Sequence, residues 1–184
     1  MSNQANTDTR QHAWSDLVIN ALLFQVIWFI AIFGPWYLAV VPLLLLLWHY
    51  IKTSQSRFID SMMLLVVSTY GLAVDSLMSL VGLFEFDPQQ ALFANAIPLF
   101  LPILWLAFAM TIHRSLYWLV NKSGWFILLC VSIGPLSYVA ARSASAVVFD
   151  HQTLIFIVIE WLSIGFLCVG LNHYVDSGDS NDRR

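Results

Sequence analysis

The chain has 184 residues, of which 59% are apolar and 10% charged, with a net charge of −3 and a mean hydropathy of +0.75. A soluble domain of this size cannot hide so much apolar surface in one core and keep a polar exterior, which excludes a cytosolic enzyme and a disordered chain. With no basic run to meet phosphates, nucleic-acid binding is excluded as well, and the chain reads as an all-α integral membrane protein.

Residues 1–16 are polar and read as a short cytoplasmic tail. No cleavable signal peptide is expected, because the apolar region from Leu17 is too long and further spans follow it. From Leu17 to Ile51 the chain is almost wholly apolar, about twice what one crossing of a ~30 Å hydrocarbon core needs. Gly34-Pro35 interrupts it, a pair that stops a helix and makes a turn; two spans follow, 17–33 and 36–51. After the polar loop Lys52–Arg57, a third span covers 60–84. The Asp-Pro step at 87–88 marks a turn, and a fourth span covers 91–112, interrupted by Pro98 and Pro102.

Residues 114–124 carry the tryptophan, tyrosine and lysine expected at an interface. The fifth and sixth spans cover 125–141 and 153–174, and 175–184 reads as a polar, disordered tail. The expectation is therefore a six-helix transmembrane domain over 17–174 with no separate soluble domain. Arg10, Lys52, Arg57, Arg114, Lys122, Arg183 and Arg184 then fall on one side and only Arg142 on the other. That bias puts both termini in the cytoplasm. Cys130 and Cys168 fall inside spans and are expected as buried thiols, not as a disulfide.

Asp75 lies deep in span 3, where a carboxylate costs several kcal/mol unless paired, protonated or wetted. It belongs to a stripe of small and polar residues, Ser68, Gly71, Asp75, Ser79 and Gly82, at helical steps. Such a stripe faces neighbouring helices or a cavity. Asp75 is thus either a working acid or a hydrogen-bond anchor. Glu160, at a similar depth in span 6, is the second candidate; the two acids could share a proton, flank a substrate, or lie on opposite sides of the bundle.

Arg142 closes span 5. It could snorkel, pair with Asp75 or Glu160, or hold a lipid phosphate or other anionic group. Just before it, Gly134-Pro-Leu-Ser-Tyr138 is expected to break span 5 and free backbone ligands, with Ser137 and Tyr138 as binding candidates. Pro98 and Pro102 are expected to do the same in span 4, unless these prolines are only packing kinks. Asn20 and Gln25 in span 1 are either binding residues or interhelical hydrogen bonders. His49, His113 and His173 close spans 2, 4 and 6 on one side, but without paired spacing they form only a weak metal candidate. Phosphate-loop, nucleophile-elbow, zinc-peptidase and haem-attachment motifs are absent. No cofactor and no nucleotide partner is expected.

Four motifs stand out: Asn20-x-x-x-Phe24-Gln25-x-x-Trp28-Phe29, Gly71-x-x-x-Asp75, Thr111-x-His113-x-Ser115-Leu116-x-Trp118-Leu119 and Gly134-Pro-Leu-Ser-Tyr138. In this order they resemble the bacterial domain of unknown function 2878 family, over roughly Asp16 to Tyr174. Arg114 departs from that pattern, which carries an uncharged polar residue there. The resemblance implies a small polytopic inner-membrane protein of uncharacterised activity. It also implies a lipid-associated role, since such genes often neighbour genes for membrane-lipid modification. Partners would be membrane lipids and membrane or lipid-modifying proteins. Three functions compete. One is a lipid-associated role, modifying lipids or supporting enzymes that do, with a polar cavity in the outer half of the bilayer. The second is a small proton-coupled transporter using the intramembrane carboxylates, and the third a structural membrane subunit.

Overall fold

In the chain's computed structural model, the backbone is described for residues 2–54, 56–86 and 97–181 and the side chains for 14–54, 56–86 and 97–174. Helix α1 covers Ser2–Phe33. No proline or glycine lies between those ends, so nothing stops the helix, and it takes in the stretch expected as a separate polar tail. Gly34 closes it by donating to the Ile30 carbonyl at 2.9 Å. Pro35, extended at φ −70° and ψ 130°, then turns the chain into a 3-10 helix, Trp36–Ala39, that leads into α2, Val40–Lys52. The hairpin expected at Gly34-Pro35 is present, and α1 packs on α2.

Helix α3, Arg57–Leu80, buries Asp60, Met63, Val67, Ser68, Gly71, Asp75 and Met78. This corrects the stripe read from the sequence: Ser79 is only half-buried and Gly82 is exposed. Gly82 instead ends the helix in the left-handed conformation, φ 78°. There Gly82 donates to the Ser79 carbonyl and Leu83 to that of Met78, satisfying groups the helix end would leave open.

Strand β1, Glu85–Phe86, pairs antiparallel with β2, Val147–Val148. Between β1 and α4, residues 87–96, including Asp87 and the start of the expected span 4, lie outside the described residues. Helix α4, Phe100–Ile112, is buried on nearly every side, at Phe100, Leu101, Ile103, Trp105 and every position from Ala107 to Ile112. Pro102 occupies its first turn, where a missing N–H costs no helical bond. Pro102 does not break the helix, whereas Pro98 lies outside it, in the non-helical residues 97–99 that adjoin the undescribed stretch.

After the single turn α5, Tyr117–Val120, come α6, Ser123–Ser143, and α7, Thr153–Asn181. Two expectations are corrected here. Pro135 does not break span 5, because α6 runs through it, forfeiting one ladder bond while the helix packs along α7. And α7 continues to Asn181, into the stretch expected to be disordered, with no proline to stop it.

Four of these segments are long and apolar enough to cross a membrane: Trp14–Phe33, Arg57–Leu80, Ser123–Ser143 and Thr153–Tyr174. Trp36–Lys52 and Phe100–Ile112 are apolar but shorter. The 13 residues of α4 rise about 20 Å, less than a ~30 Å core. The outer faces carry exposed Leu65, Leu77, Leu128, Ile155 and Phe166, a distribution that water would penalise and lipid favours. The chain is an all-helical membrane protein with several spanning helices.

The helices pack in the order α1–α4–α3–α7–α6, with α2 behind α1 and α4. The row curves so that α1 and α6, its two ends, flank an open groove without packing extensively on each other.

Candidate functional site

Asp75 is fully buried on α3. Trp105 of α4 donates its indole N–H to Oδ2 at 2.6 Å, and the Tyr138 hydroxyl of α6 lies 2.8 and 2.9 Å from the two carboxyl oxygens. Three helices therefore converge on one carboxyl group, and these strong hydrogen bonds offset part of the several kcal/mol that burying it costs.

Two glycines make room for this arrangement. A Cβ on Gly71, one turn before Asp75, would overlap the Trp105 indole, and a Cβ on Gly134 would overlap that of Trp161. Each indole lies flat against a helix backbone, and the two stack on each other with centroids 5.6 Å apart and planes at 25°. Phe108 meets Trp161 edge-on at 5.2 Å. On the other side of Tyr138, Phe84 stacks at 5.5 Å and 20°. Gly134-x-x-x-Tyr138 thus works as a unit, its glycine seating Trp161 and its tyrosine, one turn on, reaching Asp75.

Glu160, on α7, is 3% exposed. It lies within electrostatic reach of Asp75, and Tyr138 is within reach of both acids. Asp75 and Glu160 thus share one region of the bundle. Their surroundings differ: Asp75 accepts from two side chains, whereas neither carboxyl oxygen of Glu160 has a hydrogen-bond partner among the described residues.

Trp105 and Tyr138 also line the groove, which encloses about 490 Å³ between α1, α4 and α6, a volume ordinary for a small-molecule site. Its wall is nearly all apolar, which corrects the polar cavity expected from the sequence, because aromatic and aliphatic side chains of three helices face it; Gln25, Thr111, Ser115, Ser137 and Tyr138 supply the polar groups. Asp75 stands behind that wall, connected to it through Tyr138 and Trp105.

The other candidates are distributed differently. Gln25, Ser137 and Tyr138 line the groove, but Asn20 does not. Asn20 is buried, donates to the Met110 carbonyl at 3.3 Å and accepts from Ser115 at 2.8 Å, tying α1 to α4. Arg142 is half-buried with its guanidinium 5.2 Å from the Phe149 ring centre. It forms no ion pair with Asp75 or Glu160. The three histidines do not assemble: His49 faces Asp16 at 3.5 Å, and His113 faces Asp60 at 3.7 Å. Among the described residues no three His, Cys, Asp or Glu side chains group as metal ligands. Cys130 and Cys168 are buried free thiols, and Cys130 contributes to the groove wall.

One cluster escaped the sequence. Arg114 pairs with the buried Asp60 at 2.5 Å, donates to Thr53 Oγ1 at 3.1 Å and to the His113 carbonyl at 3.0 Å, and lies 4.7 Å from the Tyr50 ring centre. Ser54 donates to Asp60 at 2.7 Å and the Tyr50 hydroxyl to its carbonyl at 2.9 Å. This knot joins α2, α3 and α4 at the end of the bundle opposite Arg142. Its sequence signal was two opposite charges at span ends on the same side.

A family model described as protein of unknown function (DUF2878) matches residues 17–167. The chain belongs to this family. The match covers the groove, Asp75, Tyr138 and Glu160, so these DUF2878 features lie within the family's own domain and outside the polar ends. No curated protein and no solved structure matches the chain.

Proposed function

We propose that this DUF2878 protein has a lipid-associated role, either modifying membrane lipids or supporting enzymes that do. The observation that carries the reading is the groove: about 490 Å³ of almost wholly apolar space between membrane-length helices. A soluble solute would find little to bind there, whereas a hydrocarbon chain already dissolved in the bilayer loses nothing by entering. Tyr138, on the groove wall and bonded to Asp75, is the polar group that such a chain would meet. Asp75 and Glu160 are the acids we assign to the working site, with Ser137, Tyr138 and Gln25 on the ligand side. Asn20, in this reading, holds α1 in place.

We read six crossings, counting the two shorter helices, with both termini in the cytoplasm of a bacterial inner membrane. The seven-to-one bias of lysine and arginine supports the orientation, and the family resemblance supports the compartment. Membrane lipids and lipid-modifying proteins are the partners that follow.

The test compares whole-cell lipids by mass spectrometry in a deletion strain complemented with wild type, with Asp75→Asn, or with nothing. A lipid species lost in the deletion and restored by wild type but not by Asp75→Asn supports both role and site. Restoration by Asp75→Asn keeps the role and removes Asp75 from it. Identical profiles in growth and under stress remove the lipid reading.

A second reading, a small proton-coupled transporter, is favoured by one observation: two buried acids within electrostatic reach, one of them without a hydrogen-bond partner among the described residues. It predicts gradient-dependent uptake or efflux that Glu160→Gln abolishes.

A further inference from the structure

We propose that the groove holds one acyl chain of a phospholipid whose phosphate sits on Arg142, so that the lipid lies head toward the β-ribbon and tail toward Gln25. The inference rests on the lipid reading above and adds to it a ligand class and a direction.

Direction follows from comparing the two ends of the groove. At one end stand Gln25, Thr111 and Ser115, neutral groups. The cation beside them, Arg114, is already held by Asp60, Thr53 and two backbone carbonyls, from His113 and Tyr50. Recruiting it to a phosphate would leave Asp60 buried beside a shared or missing partner, which is expensive. At the other end Tyr138 and Ala141 line the groove, and Arg142 follows on the same helix, one turn above Tyr138, or about 6 Å. Val147, across the mouth, also lines the groove, and Phe149 two residues on carries the Arg142 guanidinium on its face. Among the described residues no carboxylate pairs with Arg142. Arg142 does not itself line the groove, but it follows Ala141 of the groove wall directly in the chain, and its planar fork of donors, held over an aromatic ring, suits two oxygens of a phosphate.

The tail's path is equally constrained. The groove is lined from Ala21 to Ile32 on α1, a rise of about 16 Å along the helix, which accommodates a chain lying parallel to its neighbours in the bilayer. Because α1 and α6 do not close on each other, a chain can enter sideways while its head stays at the surface.

The experiment uses the full chain, purified in mild detergent and stripped of lipid. Native mass spectrometry follows titration with dioleoyl phosphatidylglycerol and with dioleoylglycerol, which has the same chains and no phosphate. Wild type is expected to bind the phospholipid about tenfold more tightly, the value of one charge-assisted contact. Arg142→Gln should erase that preference while leaving dioleoylglycerol binding unchanged, and Arg142→Lys should restore part of it. Ser137→Trp, which fills the groove, should weaken both lipids, and glycerol phosphate in excess should not compete. A preference surviving in Arg142→Gln overturns the head position and leaves the lipid reading standing. Competition by glycerol phosphate overturns the acyl-chain part, since the site then reads a soluble phosphate. Binding of neither lipid by a wild type that stays folded overturns the lipid reading itself.

Discussion

Gly134→Ala tests the packing around Asp75 by the sign of its effect. In an exposed helix interior, alanine is favoured over glycine by about 1 kcal/mol. Gly170, in α7, has open space where a Cβ would go, so Gly170→Ala should gain up to that amount. At Gly134 the same methyl would overlap the Trp161 ring. The far end of a flexible chain could swing away, but this indole is held by its stack on Trp105 and by Phe108. Displacing it is an overpacking event worth about 1–3 kcal/mol. Since the propensity gain is common to both sites, the difference between the two substitutions measures the packing cost itself, about 1–3 kcal/mol by the same argument. Thermal and denaturant unfolding of the full chain in one detergent reads that difference, and near-UV circular dichroism reports the loss of the indole stack. Gly134→Ala combined with Trp161→Leu should recover much of the loss. If Gly134→Ala proves as stable as Gly170→Ala, with the near-UV spectrum intact, the account of Gly134 as the seat of Trp161 is wrong.

The remaining predictions touch other parts of the bundle. Arg114→Met leaves Asp60 buried without its cation and should cost about 3–5 kcal/mol in unfolding experiments, with Asp60→Asn in the same chain recovering part of it; a loss below about 1 kcal/mol, the range of surface pairs, would deny the knot its role. Ser145 holds φ 60° at the end of α6, where it donates to the Arg142 carbonyl and Ala146 donates to that of Ala141. Ser145→Gly should therefore raise stability by about 1 kcal/mol, and a loss would mean the left-handed conformation is not strained. Tyr138→Phe keeps the stack on Phe84 but removes a donor from Asp75, so it should cost about 1–3 kcal/mol and reproduce the Asp75→Asn lipid profile; a wild-type profile would make the Tyr138–Asp75 bond purely structural.

The sequence was most informative where one residue has few physical options. Gly34-Pro35 cannot continue a helix, and the hairpin is there. An acid at the depth of Asp75 must find donors, and Gly71 and Tyr138 both lie in short, distinctive motifs. What sequence could not supply was which helices touch. Trp105 reads as one more apolar residue in a helix of apolar residues, yet it donates to Asp75 and stacks on Trp161. Arg114 and Asp60 lie 54 residues apart and looked like ordinary ends of two spans. Pro135 and Pro102 misled for a related reason. A proline's local effect depends on whether its missing N–H was needed, and helix position settles that at Pro102 while packing against α7 keeps α6 continuous at Pro135.

The two polar centres have opposite relations to the groove, and that contrast supports placing the proposed working site at Asp75 and not at Asp60. Around Asp60, hydrogen bonds close on themselves: Arg114, Thr53, Ser54 and Tyr50 bond one another or the adjoining backbone. Such a centre reads as a fastening. Around Asp75 the bonds lead outward instead, through Tyr138 and Trp105, both of which are groove wall. Glu160 lies within reach of the same carboxyl group and is buried without a hydrogen bond to its oxygens among the described residues. A helix bundle needing only glue would gain nothing from that second acid, since a buried unsatisfied carboxyl weakens packing that an apolar residue would strengthen. Glu160→Gln and Glu160→Leu therefore separate the cases. Under a purely structural role Glu160→Leu should stabilise the protein and leave cellular lipids and transport unchanged. If the acid works with Asp75, stability should rise while the lipid or transport phenotype is lost in both variants.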